Sequence, residues 1–166
     1  LRIVQQLTKT SAPRLQLLFS GDASDKQALE RMINAQNLTD GVAWWDASER
    51  MTRQAIAAAD FLLRTTIEAP GHPMRLSGPN YGTLPIVPIN GHGSDTIREL
   101  DIADHTGNGF LFKGADPEGL MAAIDRAMAF YQLPARVVNR QIHRIMTQSA
   151  ITLDQYATAN PYMTLY

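Results

Sequence analysis

Short apolar runs alternate with longer segments whose apolar residues recur at helical spacing. The strand candidates cover residues 15–19, 42–45, 60–63, 85–87 and 109–112. Each of these runs is shorter than a typical helix, and most are bounded by glycine, proline or small polar residues. Strands that alternate with amphipathic helices predict βαβ units and a parallel sheet. The pattern therefore predicts an α/β fold of the Rossmann-like, doubly wound class.

Two helices in this pattern have predictable N-termini and buried faces. Asp46 and Glu49 form a capping-box pair that predicts a helix start, with Met51, Ala55 and Ile56 facing inward. A second helix is predicted after Asp116, and Pro117 suits its first turn. Its predicted buried positions share one helical face: Leu120, Ala123, Ile124, Ala127, Met128 and Tyr131.

The helix predicted after Pro134 carries a row of basic residues. Arg136, Arg140 and Arg144 recur every four residues and therefore lie on one face. Such a row is typical of a solvated helix face. The alternative is a contact with an acidic neighbouring domain. The tail from residue 153 onward is predicted to be helical again.

Composition narrows the class of protein. The 166 residues are 45% hydrophobic and 19% charged, which suits a single domain over residues 1–166. A net charge of −1 disfavours nucleic-acid binding, and the absence of cysteine excludes thiolate chemistry. No apolar run reaches the roughly 20 residues that span a bilayer. We therefore expect a cytoplasmic protein that binds neither nucleic acid nor membrane.

The chain opens with Leu1 inside a segment that already has helical periodicity, where Leu1, Val4 and Leu7 share a face. No capping residue precedes this segment. We therefore expect the chain to be a piece of a longer protein.

Four motifs resemble the C-terminal, nucleotide-sugar-binding domain of glycogen and starch synthases, in the same order and with similar spacing. The family patterns are A-D-F-x-L, R-Y-G-T-x-P-V-V, T-G-G-L-x-D-T-V and T-G-F-x-F. The corresponding residues are ADFLL at 59–63, NYGTLPIV at 80–87, NGHGSDTI at 90–97 and GNGFLF at 107–112. Together they cover most of the chain from about residue 55 onward.

The resemblance implies half of a GT-B glycosyltransferase fold and a retaining glucosyltransferase reaction. The implied donor is a nucleotide sugar, ADP-glucose above all, and the implied acceptor is an α-1,4-glucan. In the family, the Arg and Lys that neutralise the donor diphosphate lie on the first strand of the sheet and the loop after it. The resemblance implies that this strand precedes Leu1, so we expect the chain to lack it and both cations and to bind a donor weakly or undetectably. The implied partner is an N-terminal GT-B domain, and no cofactor is expected. A related transferase that uses UDP- or GDP-sugars is the alternative within the same fold.

The catalytic loop departs from the family pattern. The family glutamate that opposes positive charge on the sugar aligns with Ala69, whose methyl group cannot do so. Glu68, one position earlier, is the remaining catalytic candidate. Because this substitution weakens the case for chemistry, a catalytically degenerate module that binds glucan or protein partners is the alternative function.

The resemblance also implies a set of substrate-binding candidates. Gly71 is retained in the phosphate-binding loop, His72 and Arg75 could contact phosphate, and Pro73 lacks the N–H that this loop uses. Trp45 is a candidate for stacking on the nucleotide base, while Trp44 is predicted to face the core. The Y-G-T motif adds Tyr81, Gly82 and Thr83.

Histidine residues raise the question of a metal site. His72, His92, His105 and Asp95 are the possible ligands, but their spacings match no ligand pattern. We therefore predict no metal. For His72 the alternative to phosphate binding is a solvent-exposed loop residue, and for Arg75 it is a position on the surface of the following helix.

Overall fold

The computed structural model describes residues 15–21, 23–38, 41–45, 48–64, 77–89, 96–113 and 117–158. The chain divides between Thr52 and Arg53 into two compact units. The single domain over residues 1–166 stays a prediction. Within the described ranges, no helix combines the length and apolar character that crossing a membrane requires.

The first unit is one βαβ motif. Its strands β1 (Leu17–Phe19) and β2 (Val42–Trp44) are parallel, and helix α1 (Ala23–Gln36) connects them. The helix buries Leu29, Met32 and Ile33 against Val42. Asn37, directly after the helix, has a φ of 53° and thus the left-handed conformation common at helix C-termini.

Helix α2 (Glu49–Ala58) begins later than the sequence suggests. The Ser48 hydroxyl accepts a hydrogen bond from the Met51 N–H at 3.4 Å, so Ser48 is the N-cap and the predicted Asp46 start is wrong. Ile56 is buried as predicted, whereas Met51 is 45% exposed. Five positions correspond to about 140° around a helix, so Met51 and Ile56 cannot share a face.

The second unit contains a three-stranded parallel sheet in the order β3-β4-β5. The strands are β3 (Phe61–Leu63), β4 (Leu84–Pro88) and β5 (Phe110–Phe112). Three helices belong to this unit: α3 (Ser77–Tyr81), α4 (Pro117–Tyr131) and α5 (Ala135–Thr158). The predicted α/β class with parallel strands is confirmed.

Strand β4 is the centre of this sheet, and all five of its residues are buried. Ile86 is in register with Leu63 of β3 and with Phe110 of β5. Gly109, immediately before β5, lies against Pro85. A Cβ at position 109 would come within 2.8 Å of the Pro85 Cγ, so the close approach of these strands requires glycine.

The outer edge of β5 is covered by side chains. The Leu111 N–H donates to Glu99 Oε2 at 2.7 Å, and the Leu111 carbonyl accepts from Arg126 Nη2 at 2.6 Å. Glu99 and Arg126 also form an ion pair at 2.8 Å. The two side chains thus occupy the Leu111 N–H and carbonyl, which could otherwise form hydrogen bonds with another strand.

Helix α4 confirms most of its predicted buried face and corrects its last turn. Leu120, Ala123, Ile124 and Ala127 are buried, but Phe130 is buried in place of Tyr131. The Phe130 ring packs 6.2 Å from that of Phe110. Tyr131 is 44% exposed, with its ring edge against Phe61 and its hydroxyl donating to the Asp60 carboxylate at 2.5 Å.

Helix α5 continues to Thr158 without the break that the sequence suggested, and residues 159–166 lie outside the described ranges. Arg136 and Arg140 are exposed as predicted. Arg144 is not part of a solvated row, because it donates to the Gly107 carbonyl at 2.7 Å and to Gln141 Oε1 at 2.9 Å. Partial burial lowers the pKa of Arg144 from its ordinary value.

We expect the substitution Glu99→Ala to lower the free energy of unfolding by about 1–2 kcal/mol, because the Leu111 N–H loses its acceptor. The half-exposed ion pair contributes less than this hydrogen bond. Urea denaturation measures the change. Glu30→Ala on the exposed surface of α1 is the control, and equal stability of the two variants would contradict the assignment.

The pKa of Tyr131 is raised above its ordinary value of 10.0, first by its hydrogen bond to Asp60, then by desolvation and the Asp60 charge. The fold therefore favours the neutral phenol. This contribution to stability is present below pH 10 and is lost as the pH rises through the folded-state pKa.

Titration of phenolate absorbance should show that Asp60→Asn moves one tyrosine back toward the ordinary pKa. The control is Asp125→Asn, because Asp125 is exposed like Asp60 and lies on α4, the helix that carries Tyr131. Identical titration curves for the two variants would rule out the proposed coupling.

Candidate functional site

The candidate site is the edge of the second unit where β3, β4 and β5 end. Because the three strands are parallel, their carboxyl ends meet at this edge, and ligands of such sheets bind there. Arg64, Ile89 and Lys113 directly follow the three strands. The segments that come next, residues 65–76, 90–95 and 114–116, lie outside the described ranges.

Four of the eight predicted site residues fall in those segments. Glu68, Gly71, His72 and Arg75 lie outside the described residues, as do Ala69 and Pro73. The assignment of Glu68 to catalysis and of the others to substrate binding stays a prediction.

Backbone hydrogen bonds between neighbouring strands hold Arg64 and Ile89 at this edge. The Arg64 N–H donates to the Ile86 carbonyl at 3.0 Å, and the Ile89 N–H donates to the Phe112 carbonyl at 2.8 Å. Arg64 is half-buried, Lys113 is exposed and Ile89 is 37% exposed. The edge thus presents two cationic residues, on the outer strands, with an apolar side chain on the central strand.

Tyr81, Gly82 and Thr83 lie at the opposite edge, where β4 begins. Thr83 is completely buried, and its hydroxyl lies 2.5 Å from the Ile56 carbonyl and 3.0 Å from the Ala59 carbonyl. These carbonyls belong to the end of α2 and the residue that follows it. The Thr83 hydroxyl thus joins the end of α2 to the start of β4.

Gly82 and Tyr81 complete this junction. Gly82 has a φ of 83°, and a Cβ there would lie 2.9 Å from the Ile142 Cγ2 of α5. The position therefore requires glycine both for its backbone conformation and for its contact with α5. Tyr81, at the end of α3, is 45% exposed. The motif has a structural role here, and its predicted role in substrate binding is not tested by these contacts.

No family model matches the chain. The glycogen synthase of Bacillus cytotoxicus is 29% identical over 133 residues, which cover 80% of this chain and 27% of that protein. Glycogen synthase 2 of Nitrosococcus oceani is 29% identical over 170 residues, which cover 99% of this chain and 33% of that protein. The chain is a homologue of the glycogen synthases. It spans about a third or less of these curated relatives.

Solved structures show the fold of this glycogen-synthase homologue. The catalytic domain of starch synthase IV from Arabidopsis thaliana, bound to ADP and acarbose, matches with a TM-score of 0.60 at 18% identity. The match covers 94% of this chain and 41% of that one. Anabaena HepE in complex with UDP matches with a TM-score of 0.59, also at 18% identity, over 93% of this chain and 44% of that one. The homologue has the Rossmann-like C-terminal domain fold of GT-B glycosyltransferases.

The two tryptophans belong to the first unit of the homologue, at the end of β2. Trp44 packs against the core of α1, as predicted. The Trp45 backbone N–H donates to the Phe19 carbonyl at 2.7 Å, which extends the pairing of β1 and β2 by one residue. Its indole N–H is buried and has no hydrogen-bond partner among the residues described. Base stacking by Trp45 stays a prediction.

His105 has a partner within the protein. Its Nδ1 lies 2.6 Å from the Nε2 of Gln141, a fully buried residue of α5. Because Gln141 Oε1 accepts from Arg144, its Nε2 is the atom left to donate to His105. His72, His92 and Asp95 lie outside the described ranges, and the ranges that are described hold no group of three metal-ligating side chains.

Sequence reasoning did not single out Arg64 or the Glu99–Arg126 pair. The signal for Arg64 is its position directly after an apolar strand run, where a parallel sheet exposes its carboxyl edge. No local signal links Glu99 to Arg126, because 27 residues separate them.

We expect Thr83→Val to lower the free energy of unfolding by about 1–3 kcal/mol, because the Ile56 and Ala59 carbonyls lose the buried Thr83 hydroxyl as a donor. Thr83→Ser keeps the hydroxyl and should retain more of the stability. Urea denaturation measures the change in stability, and calorimetric titration of ADP measures any change in ligand binding. A Thr83→Val variant with weakened ADP binding and unchanged stability would instead assign this residue to the substrate.

Proposed function

We propose that this chain is the donor-binding, C-terminal domain of a retaining glucosyltransferase. The parent reaction is transfer of glucose from a nucleotide sugar, ADP-glucose above all, to an α-1,4-glucan. The observation that carries the proposal is similarity to glycogen synthases over as much as 99% of the chain. The cytoplasm is the compartment we expect for this reaction.

The choice of ligand is supported by the structural neighbours. They contain ADP in the starch synthase and UDP or UDP-glucose in HepE. The shared part of these ligands is a nucleoside diphosphate, which suits the carboxyl edge of a parallel sheet. We propose that Gly71, His72 and Arg75 contact the phosphates and that Trp45 stacks on the base.

Catalysis requires more than this chain provides. The family glutamate position is Ala69, and a methyl group cannot stabilise positive charge on the transferred sugar. Glu68 is the carboxylate that we propose in its place. The acceptor side of the cleft would belong to an N-terminal GT-B domain, so we expect that the isolated chain does not transfer glucose.

A degenerate binding module is the second candidate function. Two substitutions in one loop favour it: Ala69 removes the carboxylate, and Pro73 removes a backbone N–H donor. Such a module would keep the fold and recognise glucan or a protein partner.

Calorimetric titration of ADP, ADP-glucose, UDP and UDP-glucose into the chain separates these functions. Micromolar binding of ADP and ADP-glucose that Gly71→Trp abolishes, by filling the phosphate loop, would support donor binding. Gly119→Trp, in the first turn of α4, is a control for tryptophan insertion, and urea denaturation must show that both variants fold.

The absence of heat at millimolar nucleotide would contradict donor binding. Binding of glucan by the same preparation would then support the degenerate module. Preference for UDP-glucose would retain the transferase class and change the donor.

A further inference from the structure

We propose that Arg64 and Lys113 form a two-cation site for the diphosphate group of the donor. The inference rests on the proposed function, because it names the residues that receive the charged part of the nucleotide sugar. Neither residue occupies a position that the family resemblance assigns to phosphate binding.

The register of the sheet brings the two residues to one face. Val87 of β4 is paired with Leu111 of β5, and Arg64 continues β3 beside Val87, since its N–H donates to the Ile86 carbonyl. Side chains paired across parallel strands share a face, and so do residues two positions apart in one strand. Arg64, Leu111 and Lys113 therefore lie on the same face.

The spacing of the two residues suits a diphosphate. Two strand spacings separate them by about 10 Å, and a two-residue offset along the strand adds about 7 Å, so their Cα atoms lie roughly 12 Å apart. Both residues carry their charge at the end of a long side chain, and this length is comparable with half of the distance between them. Ile89, in the same row on β4, is 37% exposed and supplies apolar surface between the charges.

The residues that directly follow the strands support an anionic ligand. The three residues that directly follow β3, β4 and β5 are Arg64, Ile89 and Lys113, two of them cationic, in a chain whose net charge is −1. The loop after β3 contains Pro73, which cannot donate a backbone N–H to phosphate. Arginine and lysine provide charge-assisted donors that compensate for that loss.

Calorimetry on the chain tests the site with ADP and with adenosine, which lacks the diphosphate. Arg64→Gln and Lys113→Gln should each weaken ADP binding about tenfold, the scale of one charge-assisted contact, and leave adenosine binding unchanged. Arg64→Lys and Lys113→Arg should restore most of the affinity. Arg136→Gln, an exposed position on α5, is the matched control and should bind ADP like the parent.

Three outcomes would overturn the proposal. Unchanged ADP affinity in both glutamine variants would exclude the site while leaving donor binding intact. An equal loss of ADP and adenosine binding would show that the pair supports the fold and not the diphosphate. No binding of ADP by the parent chain would reject this site together with the proposed function.

Discussion

The burial of β4 is the constraint on which the second unit depends. A strand with five buried residues must pair its backbone groups within the protein, because an unpaired buried N–H or carbonyl is costly. Its neighbours β3 and β5 meet that requirement on both sides. On the other side of β5, the Leu111 N–H and carbonyl are paired with the side chains of Glu99 and Arg126. These backbone groups are therefore not left exposed at the edge of the sheet.

The two ends of β4 have different surroundings because the strands of the sheet are parallel. At the amino end, the Thr83 hydroxyl and the positive φ of Gly82 join the strand to α2 and bring it against α5. At the carboxyl end, Arg64 and Lys113 follow the two outer strands. A fixed amino end holds the carboxyl end in register, which is how a rigid sheet positions ligand-binding residues on its loops.

Homology and local chemistry give different information about this protein. Similarity to the glycogen synthases extends along most of the chain, whereas the substitution at Ala69 concerns a single carboxylate. A fold tolerates the loss of a catalytic group, because packing and strand pairing do not depend on it. The proposed donor binding therefore does not require that the domain also transfers glucose.

The sequence by itself determined the strands, the parallel α/β class and the face of α4 from Leu120 to Ala127, because these follow from the local periodicity of apolar residues. It also identified the family, since ordered motifs are visible without coordinates. Only the tertiary structure decided that Phe130 is buried and Tyr131 bonds Asp60, and that Arg144 binds the Gly107 carbonyl. It alone placed Arg64 and Lys113 on one face, because contacts between residues distant in sequence depend on how the strands pair and which helices pack beside them.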